Sequence, residues 1–113
     1  MYTPDKWLIL KLKSDKGTIY KVLAGWSGGY LEGQSWKINS GITKISQDGD
    51  FYIFEGYSGS SYKCHKSCYG TNLIMDDTLS KILSDPNTKD RIEVLHDQDF
   101  SKLDIKGFLW RKN

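Results

Sequence analysis

Cysteine, proline, histidine and arginine are each used only twice in this chain of 113 residues, and no apolar run approaches the length of a membrane span. Each scarcity excludes something. Cys64 and Cys68 are too few for a disulfide scaffold, and on an extended strand they would stand about 13 Å apart, so reduced thiols are expected. A structural zinc needs four ligands, and the whole supply is Cys64, His65, Cys68 and His96. If residues 62–66 are strand, Cys64 and His65 aim at opposite faces, so neither a metal nor any other cofactor is expected. No linker rich in proline or serine divides the chain, which is expected to form one domain over residues 1–113. A net charge of +2, from 16 Lys and Arg against 14 Asp and Glu, rules out a polybasic protein. The opening "MYTPDKWLIL" lacks the layout of a signal peptide, so a soluble protein without membrane contact is expected.

Aromatics and glycine are plentiful instead, with four Trp, seven Tyr, four Phe and 11 Gly. Many of the rings sit beside Gly or Ser and not within apolar runs. "AGWSGGYLEG" at 24–33 and "EGYSGSSYKC" at 55–64 share one pattern of glycine, aromatic, serine, glycine. The register extends upstream, setting Tyr20, Val22 and Leu23 on Phe51, Ile53 and Phe54. Glycines of this kind supply turn conformations that other residues resist, and an aromatic between them packs on a neighbouring strand. Two such loops could equally present Trp26 and Tyr57 side by side as contact surface.

Most of the chain reads as short strands. "KWLILKLK" at 6–13 alternates Leu8, Leu10 and Leu12 against Trp7, Ile9, Lys11 and Lys13. "SDKG" at 14–17 is a hairpin connection, and "TIYKVLAGW" answers as the second strand. "QSWKINSGI" runs into Ser40-Gly41 and bends there. Asp48-Gly49 marks a hairpin between "ITKISQ" and "DFYIFEGY", and "FYIF" suits a central or doubly covered strand. After Gly70 the period changes: Asp76 or Asp77 serves as N-cap, Leu79, Ile82 and Leu83 follow at helical spacing, and Pro86 stops the helix. "RIEVLH" at 91–96 is a last strand, and the tail 97–113 is not assigned. The expected fold is mainly β (α+β): a strongly bent antiparallel sheet or half-barrel of about five to seven strands with one helix near 76–84.

The stretches "AGWSGGYLEGQSWKINSGI" and "GDFYIFEGYSGSSYKCHKSCYG" resemble a group of small, uncharacterised proteins encoded in tailed-bacteriophage genomes, over roughly residues 18–70. The resemblance implies a phage origin and action in the cytoplasm of an infected bacterium, and it carries no catalytic residue.

The residues themselves assemble no catalytic set. Cys64 and Cys68 lack an aimed base, the acidic pairs are explained by capping and solvation, and the glycine loops match no nucleotide-loop motif. A non-enzymatic binder is expected, with a host protein or a small nucleotide-like ligand as partner, acting as a stoichiometric inhibitor or sequestering agent. Its contact residues are expected near one face: Trp26, Tyr30, Trp36, Asn39, Tyr57, Ser58, Tyr62, His65 and Lys66. The alternative is a single-stranded nucleic-acid binder, with these rings stacking on bases and Lys37, Lys63 and Lys66 holding phosphates. A minor virion component is a further alternative.

Overall fold

The computed structural model describes residues 1–29, 33–96 and 100. Strands β1 (Lys6–Ser14), β2 (Gly17–Gly29), β3 (Gly33–Ile38), β4 (Ile42–Asp48), β5 (Phe51–Gly56) and β6 (Ser61–His65) precede helix α1 (Leu73–Ser84) and strand β7 (Ile92–Val94). They form two antiparallel sheets, one in the order β3-β2-β1-β7 and the other β4-β5-β6. The mainly β architecture with a single helix is as expected among the described residues. The seven strands are divided between two sheets, and no strand pairing closes them into a barrel among the described residues.

Local chemistry explains most of the elements. At Ser14↔Gly17, Gly17 takes φ +122°, a conformation closed to most side chains. The β4–β5 hairpin forms at the expected place, one residue later than the Asp-Gly signal implies. Asp48 pairs with Phe51, so Gly49 (φ +58°) and Asp50 are the turn residues. Only glycine among them has positive φ, which fits a tight turn whose first central residue is Gly. The helix begins at Leu73, earlier than the 76–84 expected, because Asn72 and not Asp76 or Asp77 is the cap: its Oδ1 accepts from the Met75 N–H at 3.0 Å. Asp77 instead pairs with Lys81 one turn on, at 3.0 Å. The helix stops at Ser84, ahead of Pro86, as expected.

Strand β1 shows why the layers stack as they do. Trp7, Leu8, Ile9 and Leu10 are four consecutive buried residues, so both faces of the strand are covered. Trp7 and Ile9, with Tyr20, Val22 and Ala24 of β2, meet Ile45, Tyr52, Phe54, Tyr62 and Cys64 of the second sheet. Leu8 and Leu10, with Leu23, face Met75 of α1. The result is three layers, with the four-stranded sheet in the middle. "FYIF" does form the central strand of its sheet, but β1 and β2 are the doubly covered ones. Each large side chain buried this way contributes about 1.5–3 kcal/mol.

Phe100 lies in the unassigned tail, yet it is fully buried, its ring 5.0 Å from Tyr52, 5.6 Å from Phe54 and 6.0 Å from Trp7. We predict that Phe100→Ala lowers stability by about 3–5 kcal/mol, read from urea unfolding midpoints. A loss below about 1 kcal/mol would show that the ring is not part of the core.

Candidate functional site

The chain crosses between the sheets at Asn39–Gly41. Asn39 donates its backbone N–H to the Val22 carbonyl at 3.0 Å and accepts the Val22 N–H on its side-chain Oδ1 at 2.8 Å. The amide thus replaces a backbone carbonyl in the β2 ladder, leaving the main chain free to turn. Gly41 follows at φ +132°, where a Cβ would stand 2.8 Å from the Tyr57 ring. The β5–β6 turn is pinned to this corner: Tyr57 donates its N–H to the Gly41 carbonyl (3.0 Å), and Ser58 donates its N–H to Ser40 Oγ (3.0 Å).

The N-terminal arm forms the opposite wall. Tyr2 donates to the Ser61 carbonyl at 2.8 Å and accepts from the Lys63 N–H at 2.7 Å, a short parallel bridge on the outer side of β6. Its ring lies 5.1 Å from Tyr62 and 6.1 Å, edge-on, from Trp26. Asp5 accepts the Ser27 N–H at 2.7 Å and so holds the arm against β2.

Between corner, turn and arm lies an open cleft of about 480 Å³. Three hydroxyls line one side: Ser40 to Ser58 at 3.3 Å and Ser58 to Ser60 at 3.4 Å. The rings of Tyr2 and Tyr62 line the other, and the Lys37 ammonium stands 5.2 Å from the Tyr2 ring centre. The site therefore offers flat apolar faces, several hydroxyl donors and one cation.

Of the nine expected contact residues, Trp36, Asn39, Ser58 and Tyr62 line this cleft. Asn39 is engaged by Val22 through its carbonyl, and its Nδ2 has no partner among the described residues. Trp26 sits behind Tyr2, partly buried against the core, and donates its indole N–H to the Thr3 carbonyl at 3.0 Å. Tyr57 is 70 % exposed beside the corner without lining the cleft. Tyr30 lies outside the described residues.

His65 and Lys66 do not join the others. His65 caps a short 3-10 turn at Lys66–Cys68, accepting the Ser67 N–H on Nδ1 at 3.1 Å, with its ring 4.9 Å from Phe51. Lys66 donates to Gln47 Oε1 at 2.6 Å, and Lys63 pairs with Asp48 at 3.7 Å. Strand alternation sends His65 and Lys63 to the face of β6 away from Tyr62 and Cys64.

The two similar segments are not equivalent. The second makes a tight turn, Gly59 N–H to Gly56 carbonyl at 3.0 Å, whereas in the first β2 continues through Trp26 to Gly29. Residues that sequence reasoning missed are Tyr2, Ile38, Ser40 and Ser60. Ser40 and Ser60 neighbour glycines already singled out, but nothing local marks Tyr2, which reaches the site only through tertiary pairing.

Comparison of the chain with protein-family models, with curated proteins and with solved structures finds no match.

Cys64 is fully buried, and burial first, then the neighbouring Cys68, pushes its thiol far above the ordinary 9.0. Burial also raises Tyr62 above 10.0, with smaller contributions from Tyr2 and Cys64. Both groups hold their protons longer in the folded state than in the unfolded chain. Their contribution to stability is therefore complete below about pH 8 and is lost progressively as pH rises beyond that. Denaturant titrations from neutral to alkaline pH should show this decline, and Cys64→Val should flatten it; an identical slope in the variant would contradict the assignment. Trp26 and Trp36 are expected to separate cleanly in the same measurements. Trp26→Ala should cost about 3 kcal/mol, as partly buried core, and Trp36→Ala about 0.5 kcal/mol or less.

Proposed function

We propose that this is a small phage-encoded binding protein without catalytic activity of its own. It acts in the cytoplasm of the infected bacterium as a stoichiometric inhibitor or sequestering agent of a host defence or regulatory system. The observation that carries the reading is the cleft, where aromatic faces, three serine hydroxyls and the Lys37 ammonium converge. That combination suits a nucleotide-like ligand: a planar ring lies against Tyr2, which Tyr62 backs from the core, and an anionic group takes the hydroxyls and Lys37. The phage origin rests on the resemblance over residues 18–70. The non-catalytic reading is supported by a Cys64 thiol sealed in the core and by His65 facing away from it.

Capture of a host protein is the second reading, favoured by the exposed rings of Trp36 and Tyr57. The nucleic-acid alternative is weakened by charge placement. Of Lys37, Lys63 and Lys66, only Lys37 borders the cleft, and Lys63 and Lys66 have partners elsewhere. A groove that tracks a phosphate backbone needs several aligned cations.

The test is a calorimetric titration of the purified protein with ribonucleoside mono- and diphosphates and cyclic nucleotides. We expect saturation at one ligand per chain, with Lys37→Ala weakening it about tenfold, the size of one charge-assisted hydrogen bond. No binding across the panel would defeat the nucleotide reading. Affinity capture from host lysate, repeated with Tyr57→Ala, then tests the protein-partner reading. Single-stranded oligonucleotide binding that falls steeply with salt would favour the nucleic-acid alternative.

A further inference from the structure

Strand β3 ends the four-stranded sheet, and no described strand pairs with its other side. Every residue from Ser35 to Ile38 is exposed, including Trp36 at 43 % and Ile38 at 37 %. An uncovered edge carrying two large apolar side chains is a template for another strand. The register shows which groups are available. Asn39 directs its N–H toward Val22, so alternation turns Lys37 and Ser35 toward β2 and leaves the N–H and C=O of Trp36 and Ile38 facing outward.

The side chains are sorted in the same way. Trp36 pairs with Gly25, whose missing Cβ would point into Met75 of α1, and Ile38 pairs with Leu23 of the same cluster. The Trp36 and Ile38 side chains therefore stand on the helix face of the sheet, opposite that of Lys37, while their stretch of the β3 edge also borders the cleft.

We propose that β3 pairs antiparallel with β3 of a second copy of this chain, about a twofold axis at Trp36. The strand is self-complementary in this register. With Trp36 opposite Trp36, the outward-facing residues 34, 36 and 38 of one copy meet 38, 36 and 34 of the other, each pair exchanging both backbone bonds. Lys37 then lies opposite Ser35. Shifting the register by two residues toward the C-terminus would set Lys37 opposite Lys37, which like-charge repulsion disfavours. The twofold axis runs through the sheet, so both helices lie on one face of a continuous eight-stranded sheet (two copies of the four-stranded one). On that face the two Trp36 rings form a cross-strand aromatic pair, with Ile38 beside them. Because residues 36–38 also border the cleft, the second copy docks beside it, leaving Ser40, Ser58 and Ser60 on its far wall.

Sedimentation equilibrium on the full chain, from low-micromolar to submillimolar concentration, reads the outcome directly. The mass should rise from 13.0 kDa toward twice that value. Trp36→Pro removes an outward N–H without breaking a β2 bond and should hold the protein at monomer mass with its circular dichroism unchanged. If that variant fails to fold, Trp36→Lys serves instead, since it sets two ammonium groups face to face at the axis. Ser35→Asp is the register-specific arm: it places a carboxylate opposite Lys37 of the other copy and should tighten the dimer several-fold. A monomer at every concentration overturns the proposal. So does a dimer that ignores both Trp36 variants, or one that Ser35→Asp leaves unchanged.

Discussion

The side chain of Asn39 holds the fold at the point where everything else could come apart. A strand leaving one sheet for another must break its ladder, and a buried backbone N–H left without a partner costs about 1–3 kcal/mol. Asn39 accepts the Val22 N–H on its own amide, so the main chain turns toward β4 while the ladder stays complete. Glycine makes room on both sides. A Cβ at Gly56 would stand 3.0 Å from Ser40 Oγ and 3.1 Å from Asn39 Nδ2, and one at Gly41 would collide with the Tyr57 ring. The corner is therefore a close approach of three backbone segments that larger residues would push apart. Its cost is the buried side-chain NH2 of Asn39, which has no partner among the described residues.

The candidate site inherits its rigidity from that corner. Ser40 belongs to the crossing itself, Ser58 is hydrogen-bonded to it, and Ser60 follows in the same turn. Tyr2 faces them from the N-terminal arm, which is tied to β6 by two backbone bonds and to β2 through Asp5. A binding surface built on such anchored pieces loses little entropy when a partner arrives. Trp26 supports the arm from beneath, through Tyr2 and the Thr3 carbonyl, and is a structural counterpart to the contact residues in front of it. Separate roles for the two tryptophans follow from strand alternation, since Trp26 faces the second sheet and Trp36 faces the helix side.

Much was legible in the sequence, for reasons that are local. Period-two patterns with glycine at the turns gave the strands over 6–26, 42–56 and 61–65, because pleat geometry and positive φ leave residue-level signatures. The stop before Pro86, the bend at Ser40-Gly41 and the burial of Cys64 away from His65 belong to the same class. At the helix start a competing local signal decided. The helix starts at Leu73 because the Asn72 side chain caps it through Met75, while the acidic pair that looked like a cap serves inside the helix.

Only tertiary structure decided that there are two sheets, that β1 and β2 lie between two covered faces, and that Phe100 fills the core between them. It also decided which aromatics meet. Two segments with the same glycine-aromatic-serine pattern adopt different roles, because one is a tight turn and the other runs on as a strand. Tyr2 enters the cleft, and His65 and Lys66 leave it, through pairings between residues far apart in the chain. Sequence determines what each segment can form, since propensity, period and φ act over a few residues. Which segments then share a cleft depends on packing that minimises exposed apolar surface over the whole chain, and no short window contains that sum.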